Sequence, residues 1–465
     1  MYSNAAIPYA IIVMMVMLLA SSIASLFHRR KFIAFSINTA LFVVIAVLSL
    51  VSMLVGVSYT LPGAINLNAF SELFTMLFSF LLALINILAY PRSEHFDAFS
   101  VFISLAFFGM FFVSSAASLL EIALGLEMVS LPTVFIIIAE GKNRVASAIK
   151  LFVLGVISIT VFVFAVTLIF PYSPSLYMTA IQTGQGTTPY LLLLATVLFI
   201  ASLGIETAQF PFNLWIPDVY QGAPGFATAM LAGVNKKVAF VALMEILFIV
   251  LIAFKAVFSP ILVILSIVTM FFGNLVAMTQ TNVKRMFAYS SISQAGYITI
   301  GLTVATQYGI TASLFQIIAH AFMIIGAFSI VLWLEERGLH TIEDYSGMFY
   351  SNGIATVALT IFMLSMAGVP PLMGFYGKFL LFSSAASSNQ VYLAVIGIVN
   401  SIISIYYYGR LINSVFVKRE KRKQRMGVSI AAVVAITVFL VVAFGIYPQP
   451  VVRLATLAAS ALLHA

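Results

Sequence analysis

Ionisable side chains inside long apolar stretches are the residues of this sequence that could carry chemistry. A charge at the centre of a bilayer is costly, so a residue of this kind normally faces a protein interior or water. Such residues commonly form paths for ions or protons, because burial and neighbouring groups can bring their proton affinities close together. Ten of them are candidates for such a role: Glu121, Glu127, Lys150, Glu206, Lys236, Lys237, Glu245, His320, Lys378 and Arg410.

Their positions favour a chain of acids, amines and one imidazole at mid-membrane depth. Glu127, Glu206 and Lys378 lie well inside their apolar runs, and the adjacent pair Lys236 and Lys237 lies about midway along another. Protons can hop along such a chain. Other interpretations stay open for some members: His320 alone could be a hydrogen-bonded core residue. Lys150 and Arg410 could extend along apolar surface to the membrane interface.

Two apolar runs are interrupted by prolines. The first interruption contains Pro211, Pro217 and Pro224, and the second contains Pro370 and Pro371. Proline removes an N–H donor and breaks a helix, and lipid cannot satisfy the carbonyl that is freed. Paired broken helices are typical of transporters built from inverted repeats, where the breaks line a polar cavity. Two simple kinks are the alternative interpretation.

The composition requires a membrane environment. The 465 residues are 63% hydrophobic and 8% charged, with a mean hydropathy of +1.14. So few charges cannot cover a soluble particle, which excludes a soluble enzyme. A spanning helix needs roughly 20 apolar residues. The sequence predicts an all-α polytopic protein with 14 spans, at about 5–27, 32–55, 69–89, 98–115, 117–139, 145–170, 190–210, 225–254, 257–279, 285–305, 307–334, 353–384, 390–416 and 427–447.

Redox cofactors are not expected on this chain. It has no cysteine, which excludes Cys-ligated iron–sulfur clusters, disulfides and a catalytic thiol. His320 is the single histidine within a predicted span, so a haem held between two intramembrane histidines is excluded as well. We therefore expect neither a cofactor site nor a metal site.

The basic residues predict the topology. The net charge is +8, and 15 of the 22 lysines and arginines, among them Lys284 and Arg285, fall in alternate connections, whereas the opposite connections hold Lys255 and Arg453. The positive-inside rule then places both termini outside a cell membrane and the basic run 418–425 in the cytoplasm. The basic excess is therefore topological, and we expect no nucleic-acid partner. Gly184-Gln185-Gly186 lacks the context of a phosphate-binding loop.

Several motifs in order along residues 70–415 resemble one family. Residues 281–297 read TNVKRMFAYSSISQAGY, residues 211–224 read PFNLWIPDVYQGAP, and residues 367–379 read AGVPPLMGFYGKF. Shorter matches begin at Glu127, Lys150 and Glu343. The pattern is similar to the antiporter-like proton-translocating subunits of respiratory complex I and its relatives, which include cation/proton antiporters and membrane-bound hydrogenases. The form of residues 217–224 most resembles the N-type subunits of NADH-quinone oxidoreductases.

The resemblance implies a fold of about 14 helices with two inverted five-helix repeats, each containing a broken helix. It implies N-terminal helices at 1–97, a first repeat at 98–254, a second at 255–417 and a C-terminal segment at 418–465. In the family pattern Glu127 matches the acid of the fifth helix, and Lys236 matches the lysine of the broken eighth helix, with Lys237 a competitor by one position. Lys378 matches the proton-release lysine of the twelfth helix. Lys150 and His320 match further polar positions.

Glu206 departs from the family pattern. The resemblance implies a lysine five residues before the Pro-Phe motif, and this sequence has Glu206 there. Asn213 replaces the histidine that follows Pro-Phe in the family. The acid–lysine pair thus becomes a pair of carboxylates, Glu127 and Glu206, unless Lys150 or Lys236 neutralises it. Two nearby carboxylates do not both ionise at low cost, so one would hold a proton at neutral pH.

The resemblance implies a membrane subunit that conducts protons while redox chemistry proceeds elsewhere in its assembly. Other membrane subunits would be its partners, and quinone and NADH, or another electron donor, would be used by them. Three alternatives stay open: a subunit of a cation/proton antiporter, a membrane arm of a hydrogenase or of another donor–quinone oxidoreductase, and a scaffold whose proton path is inactive because of Glu206.

Overall fold

The computed structural model describes residues 6–28, 31–61, 65–141, 144–178, 190–418 and 423–464. These residues form helices and one small hairpin, in which strands β1 (Tyr59–Leu61) and β2 (Ile65–Leu67) pair antiparallel. Several sequence-based predictions lie outside the described residues. They concern Gly184-Gln185-Gly186, the basic residues Arg29, Arg30 and Lys142, and positions 419–422 of the basic run.

The described part of the chain contains 19 α-helices, numbered here in chain order. In the first part of the chain they are α1 (Ala6–His28), α2 (Lys31–Val55), α3 (Ala69–Ala89), α4 (Phe96–Ser114), α5 (Leu119–Ala139), α6 (Val145–Ile169), α7 (Tyr190–Glu206), α8 (Ile216–Gly222), α9 (Gly225–Met230) and α10 (Lys236–Glu245). They continue as α11 (Lys255–Thr279), α12 (Val283–Val304), α13 (Gln307–Glu335), α14 (Met348–Ser351), α15 (Gly353–Ala367), α16 (Met373–Ser387), α17 (Val391–Phe416), α18 (Val428–Ile446) and α19 (Gln449–Leu463).

Ten of the described helices are long and apolar enough to cross a membrane. They are α1 to α6, α11, α13, α17 and α18, with α11 preceded by one short 3₁₀ turn. Shorter apolar helices are α7, α15 and α19. The prediction of an all-α polytopic membrane protein is confirmed at this level, because most described residues are helical and the long helices are apolar.

The first of two compact units comprises Met1–Thr207, Val234–Pro260 and Thr456–Ala465. Two of its helices, α3 and α5, begin at side chains that satisfy free N–H groups of the first turn. Asn68 accepts from Ser71 N at 3.1 Å to begin α3, and Ser118 begins α5 in the same way. Within this unit α4 and α5 approach closely, since a Cβ added to Gly109 would lie 2.6 Å from the carbonyl oxygen of Gly125.

The second unit comprises Ala208–Gly233 and Ile261–Ala455. Its central element is α13, a 29-residue helix whose most apolar window is 100% buried inside the protein. Glycine lets α16 approach its neighbours: a Cβ on Gly374 would lie 1.9 Å from Ser365 O, and one on Gly377 would lie 2.0 Å from Gln316 Oε1. A larger residue at Gly374 would require movement of the α15 backbone, and one at Gly377 would require movement of the Gln316 side chain.

Candidate functional site

The first proline-rich stretch interrupts the helical path after α7. Helix α7 ends at Glu206, turns follow, and α8 resumes at Ile216. The Phe210–Pro211 peptide bond is cis. Pro217 lies in the first turn of α8, where its missing N–H costs no hydrogen bond, and Pro224 immediately precedes α9.

The second stretch interrupts the path between α15 and α16. Helix α15 ends at Ala367, and Gly368 follows in the left-handed region at φ +94°. The Pro370–Pro371 peptide bond is cis, and α16 begins at Met373. The carbonyl of Ala367 is therefore at a helix end, where it can accept from a side chain instead of from the backbone.

Lys378 donates to this exposed carbonyl. Its side chain is buried, with a relative exposure of 3%, and Nζ lies 3.1 Å from Ala367 O. The ammonium also lies over the ring of Tyr297, 4.5 Å from the centroid. A Cβ on Gly368 would lie 3.1 Å from Lys378 Cδ, so glycine at this position leaves room for the lysine stem. The second interruption thus forms a small polar site around one buried amine.

A chain of amides reaches the same interruption from α12 and α13. Gln316 Nε2 donates to Gln294 Oε1 at 2.9 Å, and Gln294 Nε2 donates to Met366 O at 3.2 Å. His320 follows Gln316 by one turn of α13 and is 1% exposed. Because Gln316 also contacts Gly377, the residue before Lys378, the structure places the imidazole and the amine on helices joined by these contacts.

The hydroxyl of Tyr297 extends this polar cluster toward α11 and α17. It accepts from Asn274 Nδ2 at 3.5 Å, while Tyr407 donates to Asn274 Oδ1 at 3.1 Å. Sequence reasoning did not select Gln294, Tyr297, Asn274 or Tyr407 as site residues. The signal that could have found the first two is their spacing with Ser290, since these three fall on one face of α12.

Lys236 and Lys237 are the buried lysines of the first unit. Their relative exposures are 3% and 0%. Instead of a break, the structure has one π-helical segment before α10, at Leu231–Asn235, and another after it, at Ile246–Val250. Segments of this kind shift side chains around the helix axis and recur at functional sites. The first of them aims Asn235 at α5, where its amide donates to Thr133 Oγ1 at 2.7 Å.

Glu127 and Glu206 lie in α5 and at the end of α7, both partly exposed. The carboxyl of Glu206 lies beside Ser158 of α6 and within electrostatic range of Glu127. Ser158 Oγ also donates to Ser202 O at 2.9 Å, which ties α6 to α7. Lys150 is partly exposed in the second turn of α6.

Two other intramembrane candidates bind backbone groups. Glu121 accepts from Ala117 N at 2.6 Å and from Ser118 N at 3.0 Å, so it completes the cap of α5. Arg410 donates to the carbonyls of Met278 and Gln280 near the end of α11. These contacts give both side chains a structural role.

Lys284 and Arg285 are in the first turn of α12, although the sequence analysis assigned them to a basic connection. Asn282 begins the helix, accepting from Arg285 N at 3.1 Å. Lys284 Nζ lies 2.6 Å from Glu335 Oε1 of α13 and donates to Ala223 O at 2.9 Å. Arg285 pairs with Asp218 at 2.7 Å. The two residues therefore fasten both ends of α8 to α12.

No group of three or more metal-binding side chains (His, Asp or Glu) occurs among the residues that the structure describes. The chemistry of the arrangement is that of acids, amines, amides and hydroxyls. Such groups can bind a proton and pass it on through hydrogen bonds.

The sequence is similar to known proteins over most of its length. A family model described as NADH:quinone oxidoreductase/Mrp antiporter, TM, matches residues 116–404. F(420)H(2) dehydrogenase subunit N of Methanosarcina mazei is 34% identical over 428 residues, covering 88% of this chain and 87% of that protein. NADH-quinone oxidoreductase subunit N 1 of Chloroherpeton thalassium is 34% identical over 367 residues, covering 77% of each.

Solved structures share the fold. A chain of respiratory complex I from Thermus thermophilus superposes with a TM-score of 0.82 at 28% identity, covering 96% of this chain and 99% of that one. A chain of the Mrp complex from Dietzia sp. superposes with a TM-score of 0.91 over 100% and 98% of the two chains. Its identity of 19% shows the fold alone. The resemblance noted in the sequence is confirmed: this chain belongs to the NADH:quinone oxidoreductase/Mrp antiporter family of transmembrane proteins.

Proposed function

We propose that this chain is the membrane-embedded proton-translocating subunit of a complex I-like assembly, in which electron transfer to a quinone drives proton movement. The observation that carries the proposal is the burial of three lysines, Lys236, Lys237 and Lys378, with exposures of 3%, 0% and 3%, all within the matched residues 116–404. Amines are expensive to bury and are retained in membranes where they serve ion or proton paths.

The proposed route uses the predicted residues of both units. In the first unit the route uses Glu127, Glu206 and the lysine pair at 236–237, with Lys150 as a further cationic group. In the second unit the route uses His320 and Lys378. Lys378 is the proposed release group, since its ammonium is held by one carbonyl and one ring face, and neutralisation weakens both interactions.

We also propose the finer architecture that the family resemblance implies. Ten described helices qualify as spans by themselves. The four other predicted spans correspond to α7, to α9 with α10, to α12, and to α15 with α16. The 14 spans would comprise N-terminal helices in 1–97, inverted repeats in 98–254 and 255–417, and a last helix in 418–465. The interruptions at Pro211–Pro224 and Pro370–Pro371 fall one in each proposed repeat.

The proposed setting is the cell membrane, with both termini outside. Partners would be other membrane subunits and lipid, with no nucleic acid. NADH, or F420H2 as the name of one relative indicates, would donate electrons to other subunits, and this chain would hold no redox cofactor. An antiporter-type or hydrogenase-type complex is the second candidate assembly, and a scaffold with an inactive route is the third candidate role.

Purification of the intact assembly and reconstitution in vesicles test the proposal. Subunits that oxidise NADH or F420H2 should co-purify, and Lys378→Ala should lower the number of protons moved per electron while the assembly stays intact. Lys255→Ala, at an exposed lysine, is the matched control and should pump normally. Unchanged stoichiometry in Lys378→Ala would argue for the scaffold role. Co-purification with antiporter subunits, and with no subunit that oxidises NADH or F420H2, would favour an antiporter-type complex over a redox assembly.

A further inference from the structure

Helices α2 and α3 of the first unit meet along a line of polar side chains. Ser49 and Ser52 of α2 lie beside Glu72 of α3 at one end, where Ser52 Oγ donates to Glu72 Oε1 at 2.9 Å. At the other end Asn86 of α3 donates to Thr39 Oγ1 of α2 at 2.8 Å. All of these residues precede the family-matched region 116–404 and lie outside the proposed proton route.

The polar line on α3 has one interruption, at Leu82 and Ala83 between Ser79 and Asn86. Glu72, Thr75, Ser79 and Asn86 follow at intervals of three, four and seven residues, which is one face of a helix. All four are buried, with exposures of 1% or less. At 1.5 Å per residue the distance from Glu72 to Asn86 is about 21 Å, most of the thickness of a bilayer core. We call this line of residues the α2–α3 seam.

Three buried polar atoms of the seam have no hydrogen-bond partner among the described residues: Glu72 Oε2, Ser49 Oγ and Asn86 Oδ1. More than nine in ten buried polar groups in folded proteins are hydrogen-bonded, either to protein or to ordered water. The orphaned atoms belong to one seam, two at one end and one at the other, and ordered water is the partner that satisfies buried groups of this kind in folded proteins.

Glu72 has no cation opposite it on the described parts of the elements that pack against α3. The charged residues of α2 and α4 are Lys31 and Asp97, both at the end of the seam where Asn86 lies. Lys31 donates to Glu94 O at 3.1 Å at that end. Strand β2 carries no charge, and the titratable groups of α1 and β1 nearest this end of the unit, Tyr9 and Tyr59, are hydrogen-bonded to each other at 3.1 Å. A carboxylate buried without a counter-charge is unfavourable, which favours binding of a proton.

We propose that Glu72 is a second proton-binding site of this protein, supplied by water along the α2–α3 seam and separate from the residues of the antiporter-like region. The step is a simple transfer: a hydrated proton binds to the Glu72 carboxylate, a carboxylic acid forms and a water molecule remains. Ser52 holds one carboxyl oxygen, and water shared with Ser49 binds the other. The N-terminal helices thereby carry a proton store of their own.

Carbodiimide labelling of the purified assembly tests the site, because the reagent attacks protonated carboxyl groups in apolar surroundings. The modified residue is identified by mass spectrometry over a range of pH. We expect labelling of Glu72 that falls as pH rises, its absence in Glu72→Gln, and none above background at exposed Glu94. Ser49→Val removes the orphaned hydroxyl, places two methyl groups there and displaces water, so it should slow labelling several-fold. Thr437→Val, at a buried threonine of α18, is the matched control and should label normally.

Three results would overturn the proposal. Failure to label at any pH would show a permanently ionised carboxylate with a structural role. Labelling that does not change with pH would show a permanently neutral one. Equal rates in Ser49→Val and the wild type would show that no water reaches the carboxyl through the seam. None of these measurements depends on pumping, so they stand or fall separately from the proposed function.

Discussion

The ammonium of Lys378 lies over the ring of Tyr297, 4.5 Å from its centroid, while the same Nζ donates to Ala367 O at 3.1 Å. The two partners come from different elements, α12 and the end of α15. Both interactions favour the charged amine, and neither is strong for a neutral one. The position of α12 relative to the interruption therefore sets how firmly Lys378 holds its proton.

Tyr297→Leu should lower the rate of proton pumping more than Tyr297→Phe. Leucine removes the ring face, whose attraction to a desolvated cation is worth about 2 kcal/mol. Phenylalanine keeps the face and loses only the hydrogen bonds that the hydroxyl accepts from Asn274 and Ser401. Quenching of a pH-sensitive dye in reconstituted vesicles measures the rate. Equal losses in the two variants would assign the role to the hydroxyl network instead of the ring.

Glu206→Gln should lower pumping and change its dependence on pH, because glutamine keeps the shape of the side chain but cannot exchange a proton. Glu206→Lys should be tolerated structurally, since it restores the acid–lysine pair of the family with Glu127. Pumping is measured across pH for both variants, with Glu336→Gln at the exposed end of α13 as the control. If Glu206→Gln pumps normally at every pH, the carboxylate pair has no part in the relay.

Lys284→Met should destabilise the protein strongly. The change leaves Glu335, whose side chain is 19% exposed, without its cation and removes the charged donor to the carbonyl of Ala223. Removing one partner of a buried pair costs about 3–5 kcal/mol. The double variant Lys284→Met with Glu335→Gln should recover part of this loss, as measured by thermal unfolding of the assembly. Glu336→Gln, which breaks an exposed pair at 3.9 Å, should change stability by less than about 1 kcal/mol. A double variant no more stable than the single one would show that the carbonyl contact dominates.

The turn before α14 should open in acid. Hydrogen bonds from the backbone of Thr341 lower the pKa of Asp344, helped by the N–H of His340. The ionised carboxylate therefore stabilises the turn above the ordinary pKa of an aspartate, and the effect is lost as pH falls through the lowered value. Amide exchange of Thr341 should be faster in Asp344→Asn than in the wild type at neutral pH. The difference should vanish in acid, and a constant difference would refute the charge effect.

The C-terminus should lie outside the cell, so a reporter fused to it should be active only if it is of the type that functions outside. The expectation follows from the 15 basic residues in alternate connections against two in the opposite ones. Paired fusions, one with a reporter active outside and one with a reporter active in the cytoplasm, measure the orientation. A fusion in the loop between α13 and α14, next to Arg337, should give the opposite result. Activity of the cytoplasmic reporter at the C-terminus would invert the proposed topology.

Some residues of the candidate site could be predicted from local features of the sequence. The other residues are brought together by contacts between helices. Pro370, Pro371 and Lys378 could be found because prolines and charges are conspicuous within apolar runs. The amide chain from Gln316 through Gln294 to Met366 could not be found, since it depends on the register of α12 against α13 and the end of α15. The π-helical segments around α10 likewise follow from packing, which overrides local propensity.

Lys284 was placed in a basic connection because it precedes the predicted span 285–305. The structure places it in the first turn of α12 at 4% exposure, where Glu335 of α13 neutralises it. A sequence alone shows the charge but not the partner 51 residues away. For the same reason the α2–α3 seam was not anticipated: Glu72 lies within the predicted run 69–89 but was not counted among the intramembrane candidates.

Helix α13 is apolar enough to cross a membrane by itself, yet its most apolar window is entirely enclosed by protein. Its hydrophobic surface therefore meets lipid only during biosynthesis, between release into the bilayer and closure of the surrounding helices. The sequence of α13 therefore has to be apolar enough for insertion into the bilayer, and afterwards it has to pack against the neighbouring helices. During that interval His320 and Gln316 lack the partners that they have in the folded protein. The cost of inserting polar side chains, and not the stability of the folded protein, therefore limits how many of them one helix can carry.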